Sequence, residues 1–165
     1  MRLKPLPEPP ADLDAVAAAQ SAVPLVPGSE NDCCARLMRR EGYESRDVAR
    51  TWLTFLRALE LAVETDSGFK RTDRDPTPEN VRESFRDRVF GASETLEVLR
   101  AADDPLGAED VFDRLRETVP GWERERRRQW VDHWTDRTER LLDWLVLLDL
   151  AERRNSGYVA GETIT

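Results

Sequence analysis

Histidine, cysteine and lysine are all scarce in this chain, and each scarcity removes a kind of chemistry. His133 is the only histidine. There is no Cys-x-x-Cys, no His-x-x-x-His and no other paired Cys/His spacing, so no metal site is expected. No specific Ser/His/Asp set can be assembled, and no glycine-rich loop is available to cradle a phosphate. Neither a cofactor nor an enzymatic activity is expected. The two cysteines, Cys33 and Cys34, are adjacent and have no third thiol to bridge to, which implies reduced thiols in a cytoplasm. Both sit near the start of a predicted helix, a place that can lower a thiol pKa and would suit a redox sensor. Two small buried core residues is the simpler reading. No apolar core segment follows Met1, so no signal peptide is expected. No apolar run approaches about 20 residues, so no membrane span is expected either.

What is abundant is charge. There are 33 acids against 25 bases, a formal net of −8. Only Lys4 and Lys70 among those bases are lysine. An acidic, lysine-poor, arginine-rich surface resembles that of proteins adapted to very high salt. In most proteins such acidity argues against nucleic acid, because phosphate neutralisation drives that binding. In a salt-adapted protein the acidity is background, and local departures from it carry the information. At molar salt the screening length is about 3 Å, so long-range steering is weak.

The chain opens with a proline-rich arm, residues 1–10, which suits a flexible tail. Residues 12–23 read as a short Ala-rich helix, followed by an extended piece between Pro24 and Pro27. Ser29 is the predicted N-cap of a helix over residues 30–41 that stops at Gly42, with Asp32 favouring its dipole. Ser45 caps the next helix, whose apolar face is expected to be Val48, Trp52, Phe55, Leu56 and Leu59. Two short β-like runs, 61–65 and 69–72, flank a three-residue hairpin loop, Asp66-Ser67-Gly68. Residues 73–77 read as a linker. Thr77 then caps a helix with Pro78 at its first position, running to about Ala102 with a break expected at Gly91. A helix is predicted over 109–118. Residues 122–148 are helical by period, as one helix or as two broken near Trp134 and Thr135. A second hairpin signal, Asn155-Ser156-Gly157, closes the chain ahead of a short tail, 162–165.

A shift of 89 residues lays Leu53–Phe69 over Leu142–Tyr158, with seven of the 17 positions identical. The pairs Phe55/Trp144, Glu60/Asp149, Asp66/Asn155 and Phe69/Tyr158 are close substitutions. Matched positions are those a helix-into-hairpin junction needs, namely apolar core residues, the turn glycine and the aromatic after it. A helix ending Leu-Glu-Leu-Ala, then strand, Ser-Gly turn and strand, resembles the winged helix-turn-helix superfamily. The resemblance implies a mainly α fold with short β-hairpins, in two tandem winged-helix-like units, 11–72 and 78–161. The second copy carries roughly eleven extra residues, around 122–133.

The resemblance also implies a recognition helix and a wing in each copy. In the first, the outward stripe is expected to be Arg46, Arg50, Leu53 and Arg57, with Lys70 and Arg71 in the wing. Eight bases and six acids fall within Arg36–Arg71, a local excess of base in an acidic chain. The functional reading is contact with double-stranded DNA by a transcriptional regulator; the plain reading is a solvated helix face. The equivalent outward positions of the second copy are Thr135, Glu139, Leu142 and Val146, unsuited to DNA and suited to protein. Leu142, Val146 and Leu147 are therefore the candidate interface, for a homodimer or another partner. A protein–protein adaptor without direct DNA binding is the alternative function. A further basic cluster, Arg124 and Arg126–Arg128, is interrupted by acids and suits pairing within its helix. Trp122, Trp130 and Trp134 suit a core or an interface.

Overall fold

The computed structural model describes residues 6–89, 91–115 and 130–161, with the side chains of 130–134 left aside. The chain divides into two compact units, Leu6–Val89 and Phe90–Thr165. The first holds helices α1 (Asp14–Ala22), α2 (Glu30–Glu41) and α3 (Arg46–Ala58), strands β1 (Ala62–Thr65) and β2 (Gly68–Arg71), and helix α4 (Pro78–Arg88). The second holds α5 (Ala92–Ala101), α6 (Ala108–Leu115), α7 (Trp130–Leu147), β3 (Ala151–Arg154) and β4 (Gly157–Ala160).

Local chemistry fixes most helix ends of the first unit. The Ser29 hydroxyl accepts from the Asp32 amide at 3.0 Å, and the Ser45 hydroxyl from the Val48 amide at 3.2 Å. Gly42 ends α2 in the left-handed region, where glycine has no Cβ to clash. The hairpin pairs Thr65 with Gly68, so its loop has two residues, not the three expected. Gly28 bridges to Phe69 and adds a short third strand beside β2. Val16, Leu37, Leu56, Leu59 and Leu61 are fully buried and form the core.

Helix α4 belongs to this first compact unit, although the sequence suggests that the second copy starts there. Phe85 meets Phe55 edge-on at 6.1 Å, and Arg88 pairs with Glu60 at 3.1 Å. The expected break comes at Gly91, whose φ of 87° a β-carbon would oppose. Helix α5, not α4, is the counterpart of α1.

The repeat is visible in the backbone itself. Glu60 and Asp149 both take positive φ, 65° and 61°, at the same step from helix to strand. After each, the amides of Leu61 and Leu150 donate to the carbonyls of Leu56 and Leu145, both at 2.9 Å. Gly28 bridges Phe69 as Leu106 bridges Tyr158. The two turns differ in detail, since Gly68 has φ of 133° whereas Asn155, not Gly157, carries the positive φ in the second copy. Helix α7 runs unbroken through Trp134 and Thr135, so Thr135 is not an N-cap. Helix α6 is described only to Leu115, and residues 122–129 lie outside the described residues.

Gly68→Ala is expected to loosen the first sheet selectively. A β-carbon there would stand 2.4 Å from the Gly28 carbonyl oxygen, at a φ that L residues avoid. Backbone strain of about 1–3 kcal/mol would add to loss of the paired Gly28–Phe69 hydrogen bonds, about 1 kcal/mol each. Hydrogen exchange at Gly28 and Phe69 should accelerate, while Leu106 and Tyr158 keep their protection.

Candidate nucleic-acid interface

Helix α3 buries Ala49, Trp52, Leu53, Phe55 and Leu56. Two sequence assignments are thereby corrected. Leu53, expected outside, is 2% exposed, and Val48, expected inside, is 37% exposed. Val48 lies in the first turn, whereas the neighbouring elements close over the helix one position round. The outward surface is Arg46, Asp47, Val48 and Arg50, with Thr51, Thr54 and Arg57 half-buried beside them. The three arginines run along one flank at helical spacing.

Each of these arginines has an acidic neighbour that sequence spacing does not show. Glu30, in the first turn of α2, pairs with Arg46 at 3.4 Å and with Arg50 at 3.3 Å. All three side chains are about half exposed, so these pairs are weak and open to exchange. Arg57 is placed differently. It pairs with Glu64 on β1 at 3.2 Å and lies over the Phe69 ring at 5.4 Å from its centroid. Glu64 and Phe69 are cross-strand partners, so Arg57 fastens the wing to the helix. Lys70 sits opposite Val63, which is partly exposed, and has no ion-pair partner among the described residues. The Arg71 guanidinium turns back, donating to the carbonyls of Val23 at 3.0 Å and Ser21 at 2.9 Å. Arg46 and Arg50 thus share one carboxylate, Arg57 lies at the far end of α3 against the wing, and Lys70 and Arg71 sit on β2.

The second copy shows how far the surface can change on one backbone. Its corresponding helix face carries Thr135, Asp136, Glu139, Arg140, Asp143 and Val146. Leu142, expected outside, is 0% exposed and belongs to the core, as its counterpart Leu53 does. Val146 and Leu147 remain half-buried. The cation over the wing aromatic has changed element: Val146 stands where Arg57 does, and Arg153 from β3 covers Tyr158 at 5.1 Å. The Tyr158 hydroxyl donates to Asp143 at 2.8 Å. Burial, then that bond and the Asp143 charge, push its pKa up to about 12.

Cys33 and Cys34 are buried, and burial is the main cause that raises both thiols, the reverse of the lowering a helix N-terminus suggests. Cys33 Sγ donates weakly to the carbonyls of Gly28 and Phe69 at 3.7 and 3.8 Å. Among the described residues no group of three or more His, Cys, Asp or Glu side chains is arranged to hold a metal ion. No described helix is long and apolar enough to cross a membrane. Trp122 and the arginines 124 and 126–128 lie outside the described residues, as do the side chains of Trp130, His133 and Trp134.

A helix, a short bridging segment, two further helices and a two-stranded wing, in that order and twice over with matching junctions, define a tandem winged-helix protein. The fold is one in which the third helix and wing commonly contact DNA and which is typically not enzymatic. The chain belongs to the halobacterial double winged helix domain family, which matches residues 1–164. That family accords with the acidic, lysine-poor composition. No curated protein and no solved structure matches the chain.

Proposed function

We propose that this protein binds double-stranded DNA through the first unit and acts as a transcriptional regulator. Arg46 and Arg50 would meet phosphates or base edges in the groove, Lys70 would meet the backbone from the wing, and Arg57 would hold the wing at its angle. One observation carries the reading. The outward flank of α3 bears three arginines in a chain of net −8, and its counterpart in the second copy bears Thr135, Glu139 and Val146. A shared fold does not require the arginines, so their presence in one copy calls for another cause. Arg71, whose guanidinium is turned back to the Ser21 and Val23 carbonyls, is left out of this contact.

Glu30 then acts as a stand-in for phosphate in the free protein. Glu30→Gln should raise DNA affinity up to about fivefold, the range of an exposed ion pair, and leave the fold intact. A titration of fluorescent duplex against the protein across a range of KCl checks this. Unchanged or weaker binding by the variant would remove Arg46 and Arg50 from the contact face. No binding by the parent at any salt would remove the DNA reading altogether.

A second reading rests on α7. Val146 and Leu147 are half-buried beside Asp136, Glu139 and Asp143, a surface that suits a protein partner or a second copy rather than DNA. Light scattering on the same samples reports the dimer directly.

A further inference from the structure

Three guanidinium groups of the first unit converge on one helix end. Arg36 Nε donates to the Ala22 carbonyl at 2.9 Å, and Arg40 donates to the Ser21 carbonyl at 3.4 Å. Arg71 donates to the same Ser21 carbonyl at 2.9 Å and to Val23 at 3.0 Å. Two of these side chains come from α2 and one from β2, and their acceptors are consecutive carbonyls at the C-terminus of α1. Ser21 and Arg40 are exposed, and Arg36 and Arg71 are half-buried, so the cluster faces solvent.

A helix C-terminus carries roughly half a negative charge. Three full positive charges far exceed what that end requires. In a protein with 33 acidic residues, none of the three has a carboxylate partner among the described residues. Each guanidinium has five N–H donors in a planar fork, and the carbonyls use only one or two of them. The remaining donors are gathered around the same run of backbone carbonyls, an arrangement that suits bidentate binding of an oxyanion. The second copy again serves as the comparison. Ala160 occupies the place of Arg71, and the Leu106–Tyr158 bridge forms without a cation. The sheet therefore does not need this arginine to close.

We propose that Arg36, Arg40 and Arg71 form a phosphate-binding site, separate from the α3 flank. Its ligand chemistry is a phosphate oxyanion, as a diester of nucleic-acid backbone or a monoester of a small phosphorylated molecule. At molar salt the screening length is about 3 Å, so direct hydrogen bonds survive where longer-range attraction does not, and a clustered fork outperforms scattered lysines.

The test follows the arginine Nε–H signals of Arg36 and Arg71 by NMR. Inorganic phosphate is titrated at constant ionic strength, with chloride as the reference. Saturable shifts with phosphate alone are expected. Arg40→Ala should weaken that binding about tenfold, the loss of one charge-assisted hydrogen bond, with an unchanged melting temperature. Arg40→Lys, which keeps the charge and loses the fork, should fall between. A short DNA duplex added to the Arg46→Ala/Arg50→Ala protein separates the sources. Shifts of the same signals would identify a phosphodiester, and their absence beside a phosphate response would identify a small phosphorylated ligand. Because that background lacks the α3 arginines, failure of the groove reading leaves this result standing. Shifts that merely track ionic strength, or phosphate binding that Arg40→Ala leaves intact, would overturn the proposal and leave a helix-end clamp.

Discussion

Replacing Arg46 and Arg50 together by alanine should abolish specific DNA binding while leaving the first unit folded. Both side chains are about half exposed, and among the described residues the one acid that pairs with them is Glu30, so their loss removes little stability. Binding should respond far more strongly. Each phosphate contact contributes about 0.9 to the slope of log K against log salt, so removing two should flatten it by about 1.8. The same pair of changes at Thr135 and Glu139 should leave the slope untouched, since no cation is lost there. A double Arg variant with the parent's slope would show that the phosphates meet another surface.

Leu142→Glu should unfold the second unit, with the first left intact. Leu142 is 0% exposed, and Leu141, Trp144 and Leu145 on the same helix are also fully buried. An unpaired charge in such a place costs about 3–5 kcal/mol, a large part of the roughly 5–15 kcal/mol that holds a domain together. Val146→Glu, on the half-buried side of the same helix, should cost well under that. Amide spectra would show collapse of the signals from α5 to β4 in the first variant and their retention in the second. A folded Leu142→Glu protein with altered mass in solution would restore Leu142 to the interface and displace it from the core.

Much of the fold is legible in the sequence because its signals are local. Ser29, Ser45 and Thr77 cap within three residues, Gly42 needs only its own φ, and the repeat announces the junction at Glu60 and Asp149. What the sequence hides depends on packing from a distance. A helical period fixes the width of the apolar stripe on α3 but not its centre, which is why Val48 and Leu53 exchange places. The same offset applies to Leu142, whose expected exposure follows from its alignment with Leu53. Helix α4 is amphipathic, and nothing in its own residues says which neighbour it packs on; Phe55 and Glu60 decide that. Composition and spacing find the basic residues of the candidate site. They do not find the partners, because Glu30 and Glu64 reach those residues across elements. Arg36 and Arg40 escape notice because their acceptors are backbone carbonyls, which no side-chain pattern reveals.

The bridging strands described above also bear on how fast each copy can form. Gly28 must find Phe69, and Leu106 must find Tyr158, after the intervening helices and hairpin have taken shape. Both are sequence-distant backbone pairings, with Pro24–Arg71 in the first copy more distant still, so they come late in folding. Leu106 lies 78 residues after Gly28, and Tyr158 lies 89 after Phe69, so the second closure spans a longer stretch by 11 residues. Loop entropy rises only with the logarithm of length, and that extension costs about 0.2 kcal/mol. Length between α6 and α7 is therefore nearly neutral for the rate of closure. A duplicated unit can accept insertions there, and with them new surface, without slowing the step that completes its sheet.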